Sequence, residues 1–124
     1  MDKSATLDLF ANFSRFGDRP ALVDDQGRVL SYATLDVACE RAAAALASDR
    51  KRLIFVPCRN DIESVVGYIC ALRSGHVVLL ADATMAGDLR EGLLGSYAPD
   101  YAWTSGDGVP GVEQIFGGHG FQKR

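Results

Sequence analysis

The feature that most constrains the fold is residues 60–82, which read as an amphipathic helix followed directly by an apolar strand. Five apolar residues recur at helical spacing and share one face: Ile62, Val65, Val66, Ile69 and Cys70. We expect Asn60 to cap the first turn, with Glu63 reaching back, and Gly75 to end the helix in the left-handed conformation. Residues 77–80 show no polar alternation, which is typical of strands covered on both faces in a parallel sheet. The unit predicts an α/β fold.

The rest of the chain adds the other elements of such a fold. We predict a helix from a Thr6 cap to about Phe16, a β-hairpin over residues 21–25 and 28–32, a helix over residues 35–46 and a buried strand over residues 52–57. A glycine-weakened helix within residues 84–99 and a strand over residues 100–105 follow. The side chains expected to face inward on that last helix are Leu89, Leu93, Leu94 and Tyr97. This order predicts a layered α/β domain whose mainly parallel sheet has flanking helices and an amino-terminal β-hairpin.

Composition excludes several classes of partner. A chain of 124 residues with 48% hydrophobic content is sufficient for one domain with one core. The net charge of -3, without a basic stripe, predicts neither a nucleic acid nor an anionic membrane as partner. Because no apolar run reaches the ~20 residues of a membrane span and the amino terminus lacks a signal-peptide pattern, we expect a cytoplasmic protein. The three cysteines have no C-x-x-C spacing, which argues against a disulfide framework or a zinc site, and Cys39 and Cys70 are expected in the core.

The periodic patterns end near residue 105. Residues 1–105 therefore predict an amino-terminal α/β subdomain. Residues 106–124 are rich in glycine, have no periodicity and end in basic residues, which predicts a flexible tail or linker.

Three segments between about residues 7 and 104 resemble the start of the AMP-forming acyl ligases, the family of acyl-CoA synthetases, luciferases and nonribosomal peptide adenylation domains. The first segment contains a hairpin followed by a leucine, serine, tyrosine and leucine pattern that leads into a helix: Leu30, Ser31, Tyr32 and Leu35. The second segment is residues 72–82. It resembles a family element that begins with a leucine, a basic residue, a small residue and a glycine, and that ends with an acidic residue. The third, residues 97–103, lies where the family has a helix end and the next strand. Each is weakly specific alone, but their order and spacing fit the first subdomain of these ligases.

The resemblance implies an activity for a parent enzyme rather than for these residues. The family uses ATP and Mg²⁺ to activate a carboxylic acid as an acyl-adenylate, and then transfers the acyl group to the thiol of coenzyme A or of a carrier protein. Its ATP-binding loop, which ends in lysine, and its catalytic lysine find no counterpart in the 124 residues. We therefore assign no catalytic, cofactor-binding or metal-binding residue and expect the chain alone to be inactive. The expected partner is the remainder of a ligase chain, or a second copy that buries an exposed apolar face.

A glycine pattern after residue 105 imitates a phosphate-binding loop. Gly106, Gly108 and Gly111 fit the G-x-G-x-x-G spacing and follow a predicted strand. However, barely one helical turn follows, and no acid lies ~20 residues further on. Compared with the ATP-binding loop of the AMP-forming ligases, the pattern is one residue short and has Gly111 in place of the lysine. A flexible tail is the favoured interpretation.

Two other functions remain open. Asp24, Asp25 and Asp82 are the carboxylates expected of a response-regulator receiver, in which Asp82 would accept phosphate beside Mg²⁺. The intervening hairpin and the absence of a lysine from the last strand disfavour that hypothesis, and the plainer interpretation is that Asp24 and Asp25 are turn residues while Asp82 caps the next helix. The other alternative is a free-standing, non-catalytic association module that uses the fold.

Three further side chains are candidates for a functional role: Cys58, His76 and His119. Cys58 precedes a helix and lies beside Arg59, so a helix dipole and a cation could lower its pKa and make it reactive. An inert loop cysteine is the favoured interpretation, because no histidine is nearby in sequence. His76 and His119 are isolated and lack metal-ligand spacing, which indicates structural or solvated roles.

Overall fold

The computed structural model describes residues 13–106 and 112–124. These residues form a short 3-10 helix, six strands and three α-helices. In chain order they are the 3-10 helix Phe13–Phe16, β1 (Pro20–Val23), β2 (Val29–Ser31), α1 (Tyr32–Ala45), β3 (Leu53–Cys58), α2 (Ile62–Arg73), β4 (Val77–Asp82), α3 (Gly87–Tyr97), β5 (Tyr101–Ser105) and β6 (His119–Lys123). The predicted first helix lies mostly outside the described residues, and its last turn is the 3-10 helix.

The main sheet has four strands in the order β4-β3-β5-β6. β3 pairs in parallel with both β4 and β5, whereas β6 runs antiparallel to β5. β1 and β2 form a separate antiparallel hairpin. The predicted α/β class, with a mainly parallel sheet, flanking helices and an amino-terminal hairpin, is confirmed.

The ends of α2 follow local sequence rules, with one correction. The cap is Asp61 rather than Asn60, because the Asp61 carboxylate accepts a 2.9 Å hydrogen bond from the Ser64 amide. At the other end, Gly75 has a φ of +86° and ends the helix as predicted. Its amide donates to the Leu72 carbonyl, and the next amide, that of His76, donates to the Ala71 carbonyl, which is the Schellman arrangement.

The core lies between the sheet and the helices α1 and α2. Ile54 and Val56 of β3, and Trp103 of β5, contribute fully or almost fully buried side chains to it. Trp103 packs directly over Gly67 of α2, and its indole N–H donates to the Glu63 carbonyl over 3.1 Å. The contact fixes the angle and distance at which α2 crosses the sheet.

Cys39 and Cys70 meet where α1 packs on α2. Both are buried, as predicted, and their sulfur atoms lie 3.4 Å apart as free thiols. The small residues Ala38 and Ala42 on the same face of α1 are also fully buried, which allows the two helices to approach closely.

Residues 112–124 correct the prediction of a flexible tail. β6 forms a five-residue register with β5, from His119 opposite Ser105 to Lys123 opposite Tyr101. Ile115 and Phe121 are buried in the main core. The segment therefore belongs to the folded domain, and its glycines serve turns: Gly117 and Gly118 have φ values of +57° and +75°.

Two predicted burial patterns are wrong. β4 is an edge strand of the described sheet, and its Val77 and Leu80 are 50% and 49% exposed, so the strand is not covered on both faces. On α3, Leu94 is buried, but Leu89 and Tyr97 are 62% and 59% exposed rather than inward-facing. An apolar run indicates that burial of its side chains would be favourable in free energy. It does not show whether a neighbouring element covers them.

Arg28 joins the hairpin to α2 through two carboxylates. Its guanidinium contacts Asp24 at 2.6 Å and makes a two-pronged contact with both oxygens of Glu63 at 3.1 Å. Asp24 also accepts from the amides of Gln26 and Arg28, which confirms its predicted role as a turn residue. These bonds to Arg28 hold the pKa values of Asp24 and Glu63 below their usual values.

We expect this cluster to make stability depend on pH. A carboxylate whose pKa is lowered in the folded state stabilises the protein above its ordinary pKa, here 3.8 for Asp24 and 4.5 for Glu63, and loses that contribution as pH falls through the lowered value. Arg28→Met removes the cation, so its urea midpoint should fall less between about pH 6 and about pH 3 than that of the wild type. Arg41→Met, at an exposed site on α1, should retain the wild-type dependence. An unchanged pH dependence in Arg28→Met would contradict the assignment.

Among the described residues, no helix combines the length and the apolar character needed to cross a membrane.

Candidate functional site

The strand order reverses at β3, which opens a crevice at the carboxyl ends of β3 and β5. From β3 the chain passes through α2 to β4 on one side, and then returns through α3 to β5 on the other side. Right-handed crossovers in opposite directions place the two helices on opposite faces of the sheet. Ligands of open α/β sheets bind at such reversal points, outside the carboxyl ends of the strands.

We call this cavity the switch crevice. Its volume is about 330 Å³, within the size range of small-molecule sites. It is lined by Pro57, Arg59, Asp61, Ser64, Ala83, Arg90, Trp103, Thr104, Ser105 and His119. The lining combines two cations and several hydroxyl groups with one carboxylate.

Arg59 and Arg90 reach the switch crevice from different elements. Arg59 lies in the loop between β3 and α2, and Arg90 lies on α3 with its guanidinium 5.2 Å from the centre of the Phe55 ring. Neither forms a salt bridge with another described residue, in contrast to Arg28, Arg52 and Arg73. The Arg59 charge does contribute to lowering the pKa values of Asp61 and Asp82, so it is partly compensated.

Asp61 and Ser64 form the wall of the switch crevice at the start of α2. Ser64 is only 6% exposed, and its hydroxyl accepts a 2.9 Å hydrogen bond from the Arg59 amide. Burial opposes ionisation of Asp61, but hydrogen bonds from the Ser64 side chain and amide prevail and lower its pKa. The carboxylate is committed to capping α2.

The opposite wall is aromatic. The His119 ring stacks on Trp103 with 5.5 Å between ring centroids and 23° between ring planes, and His119 Nδ1 lies 3.0 Å from the Gly117 carbonyl oxygen. Thr104 and Ser105 place their hydroxyls at the end of β5. His119, which the sequence indicated to be isolated, thus lines a cavity.

The receiver hypothesis finds no supporting arrangement. Asp24 binds Arg28, while Asp82 accepts from the amide and hydroxyl of Thr84 at 2.8 Å and 2.7 Å, and these bonds lower the pKa of Asp82. Within residues 13–106 and 112–124, no three acidic, histidine or cysteine side chains converge as a metal site. Asp82 also does not cap α3, which begins at Gly87 after Ala86.

The remaining sequence candidates have structural roles. Burial, with further contributions from Asp61 and Asp82, raises the pKa of the Cys58 thiol, opposite to the lowering that a reactive thiolate requires. His76 is buried, accepts from the Arg52 amide at Nδ1 over 3.0 Å, and lies 2.8 Å from the Leu46 carbonyl through Nε2. Of the glycine pattern, Gly108 and Gly111 lie outside the described residues, and the Gly106 amide donates to the Gly118 carbonyl.

Sequence reasoning missed Arg90, Ser64 and the pairing of Trp103 with His119. Arg90 lies 31 residues after Arg59 in the sequence. No local sequence pattern shows how its helix, α3, is oriented relative to Arg59. Only the β4 edge position and the order of strands bring the two arginines to one cavity.

No protein-family model matches this sequence, and no curated protein matches it. Solved structures do match. The chain is similar to the Klebsiella oxytoca NpsA N-terminal subdomain in complex with anthranilyl-AMSN, with a TM-score of 0.65 and 24% identity over 84% of this chain and 28% of that chain. For the complex with 3-hydroxybenzoyl-AMSN the TM-score is 0.64 and the identity 21%, over 94% of this chain and 34% of that one.

A third structure, with 3-hydroxyanthranilyl-AMSN, gives a TM-score of 0.63 at 22% identity, and covers 77% of this chain and 25% of that chain. This chain therefore spans between a quarter and about a third of the NpsA chains that it matches. The likeness confirms the predicted α/β fold, which this chain shares with the N-terminal subdomain of NpsA.

Proposed function

We propose that this chain is the amino-terminal scaffold subdomain of an AMP-forming acid ligase. The observation that carries the proposal is the fold shared with the N-terminal subdomain of NpsA, an adenylate-forming enzyme. The three resemblance segments support it, because they occur in the family's order along the same fold.

The residues that carry the resemblance act in building the fold. Ser31 caps α1 by accepting from the Thr34 amide, Gly75 ends α2, and Asp82 closes the turn after β4. Leu35 is almost completely buried. Each role is structural, which is what a scaffold subdomain requires, and none activates a substrate.

The activity belongs to the parent enzyme. We propose that it uses ATP and Mg²⁺ to convert a carboxylic acid to an acyl-adenylate and passes the acyl group to the thiol of coenzyme A or a carrier protein. The chain alone is inactive in this proposal, since the ATP-binding loop and the catalytic lysine have no counterpart in it. A cytoplasmic location stays a prediction.

The partner in this proposal is the rest of the ligase. Val77 and Leu80 expose large apolar side chains on the edge strand β4, and Leu89 and Tyr97 do so on α3. Such exposure favours a covering partner. A homodimer through the same side chains is the alternative arrangement.

The test combines the coding sequence with an exchange assay. We expect the coding sequence beyond Arg124 to contain a loop rich in serine, threonine and glycine that ends in lysine. The longer protein should exchange labelled pyrophosphate into ATP in the presence of an aromatic or aliphatic carboxylic acid. The 124-residue chain should not. Exchange by the 124-residue chain would contradict the scaffold role, and a coding sequence without that loop would contradict the ligase assignment.

A further inference from the structure

We propose that the switch crevice binds the phosphate group of a small phosphorylated molecule. This site is separate from the proposed ligase activity. The residues with which that family binds ATP have no counterpart in this chain.

The charge of the crevice favours an anion. Arg59 and Arg90 line it from opposite sides, and neither forms a salt bridge with a described residue. Asp61 is the one acid among the lining residues, and hydrogen bonds keep it ionised by lowering its pKa, so the lining sets two arginine cations against one carboxylate. The planar guanidinium presents several N–H donors in a fork that matches phosphate oxygens.

The remaining hydroxyl groups favour phosphate over a simple carboxylate. Thr104 and Ser105 of β5 line the cavity together with the two arginines, whereas the Ser64 hydroxyl is already bonded to the Arg59 amide and to Asp61. A carboxylate has two oxygens to satisfy these donors, whereas the phosphate of a monoester has three and carries more charge.

The start of α2 lies beside the crevice, but its positive end is already capped by the Asp61 carboxylate. The charge that attracts a phosphate is therefore that of the two arginines. The cavity of about 330 Å³ holds a phosphate group with a small organic portion beside His119 and Trp103.

Titration of the ¹⁵N-labelled chain with inorganic phosphate, at constant ionic strength set with sodium chloride, tests the site. We expect saturable NMR shifts at the amides of Ser64, Thr104 and Ser105, with a dissociation constant in the range of about 1 mM. Arg90→Met keeps an unbranched apolar side chain next to Phe55 while removing the guanidinium that lies over the ring, and Arg59→Met removes the other cation. Each should weaken phosphate binding by about tenfold.

Arg41→Met is the matched control, because Arg41 is exposed on α1 and does not line the crevice. It should bind phosphate as the wild type does. The amide spectra of all variants without phosphate show whether each one is folded. Absence of saturable shifts at the crevice amides up to about 50 mM phosphate, or equal binding by Arg59→Met, Arg90→Met and Arg41→Met, overturns the proposal.

Discussion

Replacing Gly67 with alanine should destabilise the protein by roughly 2 kcal/mol, although alanine is the better helix former. Gly67 lies inside α2, and a Cβ added there would come within 2.6 Å of three atoms of the Trp103 indole. The ring is 2% exposed and is held by its bond to the Glu63 carbonyl, so it has no free space to enter. Either α2 or β5 must move.

Gly92→Ala is the matched control for Gly67→Ala. Gly92 also lies inside a helix, α3, but a Cβ there would meet nothing within 4 Å. Its replacement should stabilise the protein by about 0.5–1 kcal/mol through helix propensity alone. Urea unfolding followed by fluorescence measures both changes, because Trp103 is the single tryptophan. Changes of the same sign in both variants would show that Trp103 does not pack on Gly67 as described.

Gly120→Ala should cost roughly 3 kcal/mol and displace β6 from β5. Gly120 is buried opposite Thr104, and an added Cβ would collide with the backbone carbonyl oxygen of Glu113. A carbonyl cannot rotate away as a side chain can, so relief requires movement of the strand. Phe121, which is 7% exposed and packs on Trp103 at 4.8 Å between ring centroids, should become exposed.

Gln122→Ala is the control on the same strand. Gln122 is exposed, so its replacement should leave the urea midpoint nearly unchanged. The Arg124 amide donates to the Asp100 carbonyl and the Gly106 amide to the Gly118 carbonyl, so the alternation of an antiparallel ladder makes Ala102–Gln122 and Thr104–Gly120 the hydrogen-bonded pairs between them. Amide hydrogen exchange at Ala102 and Thr104 therefore reports on the β5–β6 pairing directly, and should become faster in Gly120→Ala only. Wild-type stability and exchange in Gly120→Ala would instead support a tail that does not belong to the fold.

The parts of the fold that sequence predicted correctly are those with a local physical cause. The turn at Asp24, the end of α2 at Gly75 and the apolar face of α1 depend on residues within a few positions of one another. The cap of α2 was misplaced by one residue, since Asn60 and Asp61 are both good caps and only the backbone geometry selects Asp61. Local rules therefore predict the presence of a helix or strand more accurately than the residue at which it begins.

The candidate site was largely beyond sequence prediction. Sequence reasoning considered Asp82 and Cys58 because each follows a strand, but their surroundings give both a structural role. It passed over Arg90, whose relevance depends on the return of α3 across the sheet. The electrostatics of a site depend on which elements become neighbours, and that information is not local.

Taken by itself, the sequence determined the α/β class, the amino-terminal hairpin and the helix-to-strand unit of residues 60–82, because periodicity and capping act over one or two turns of chain. Only the tertiary structure decided that β4 is an edge strand, that residues 119–123 complete the sheet, and that Arg59 and Arg90 share a crevice. The physical reason is that strand pairing and burial depend on contacts between distant residues. Ile115 and Phe121 are single apolar residues among glycines, and they acquire a role only when β5 and α2 provide the surface on which they pack.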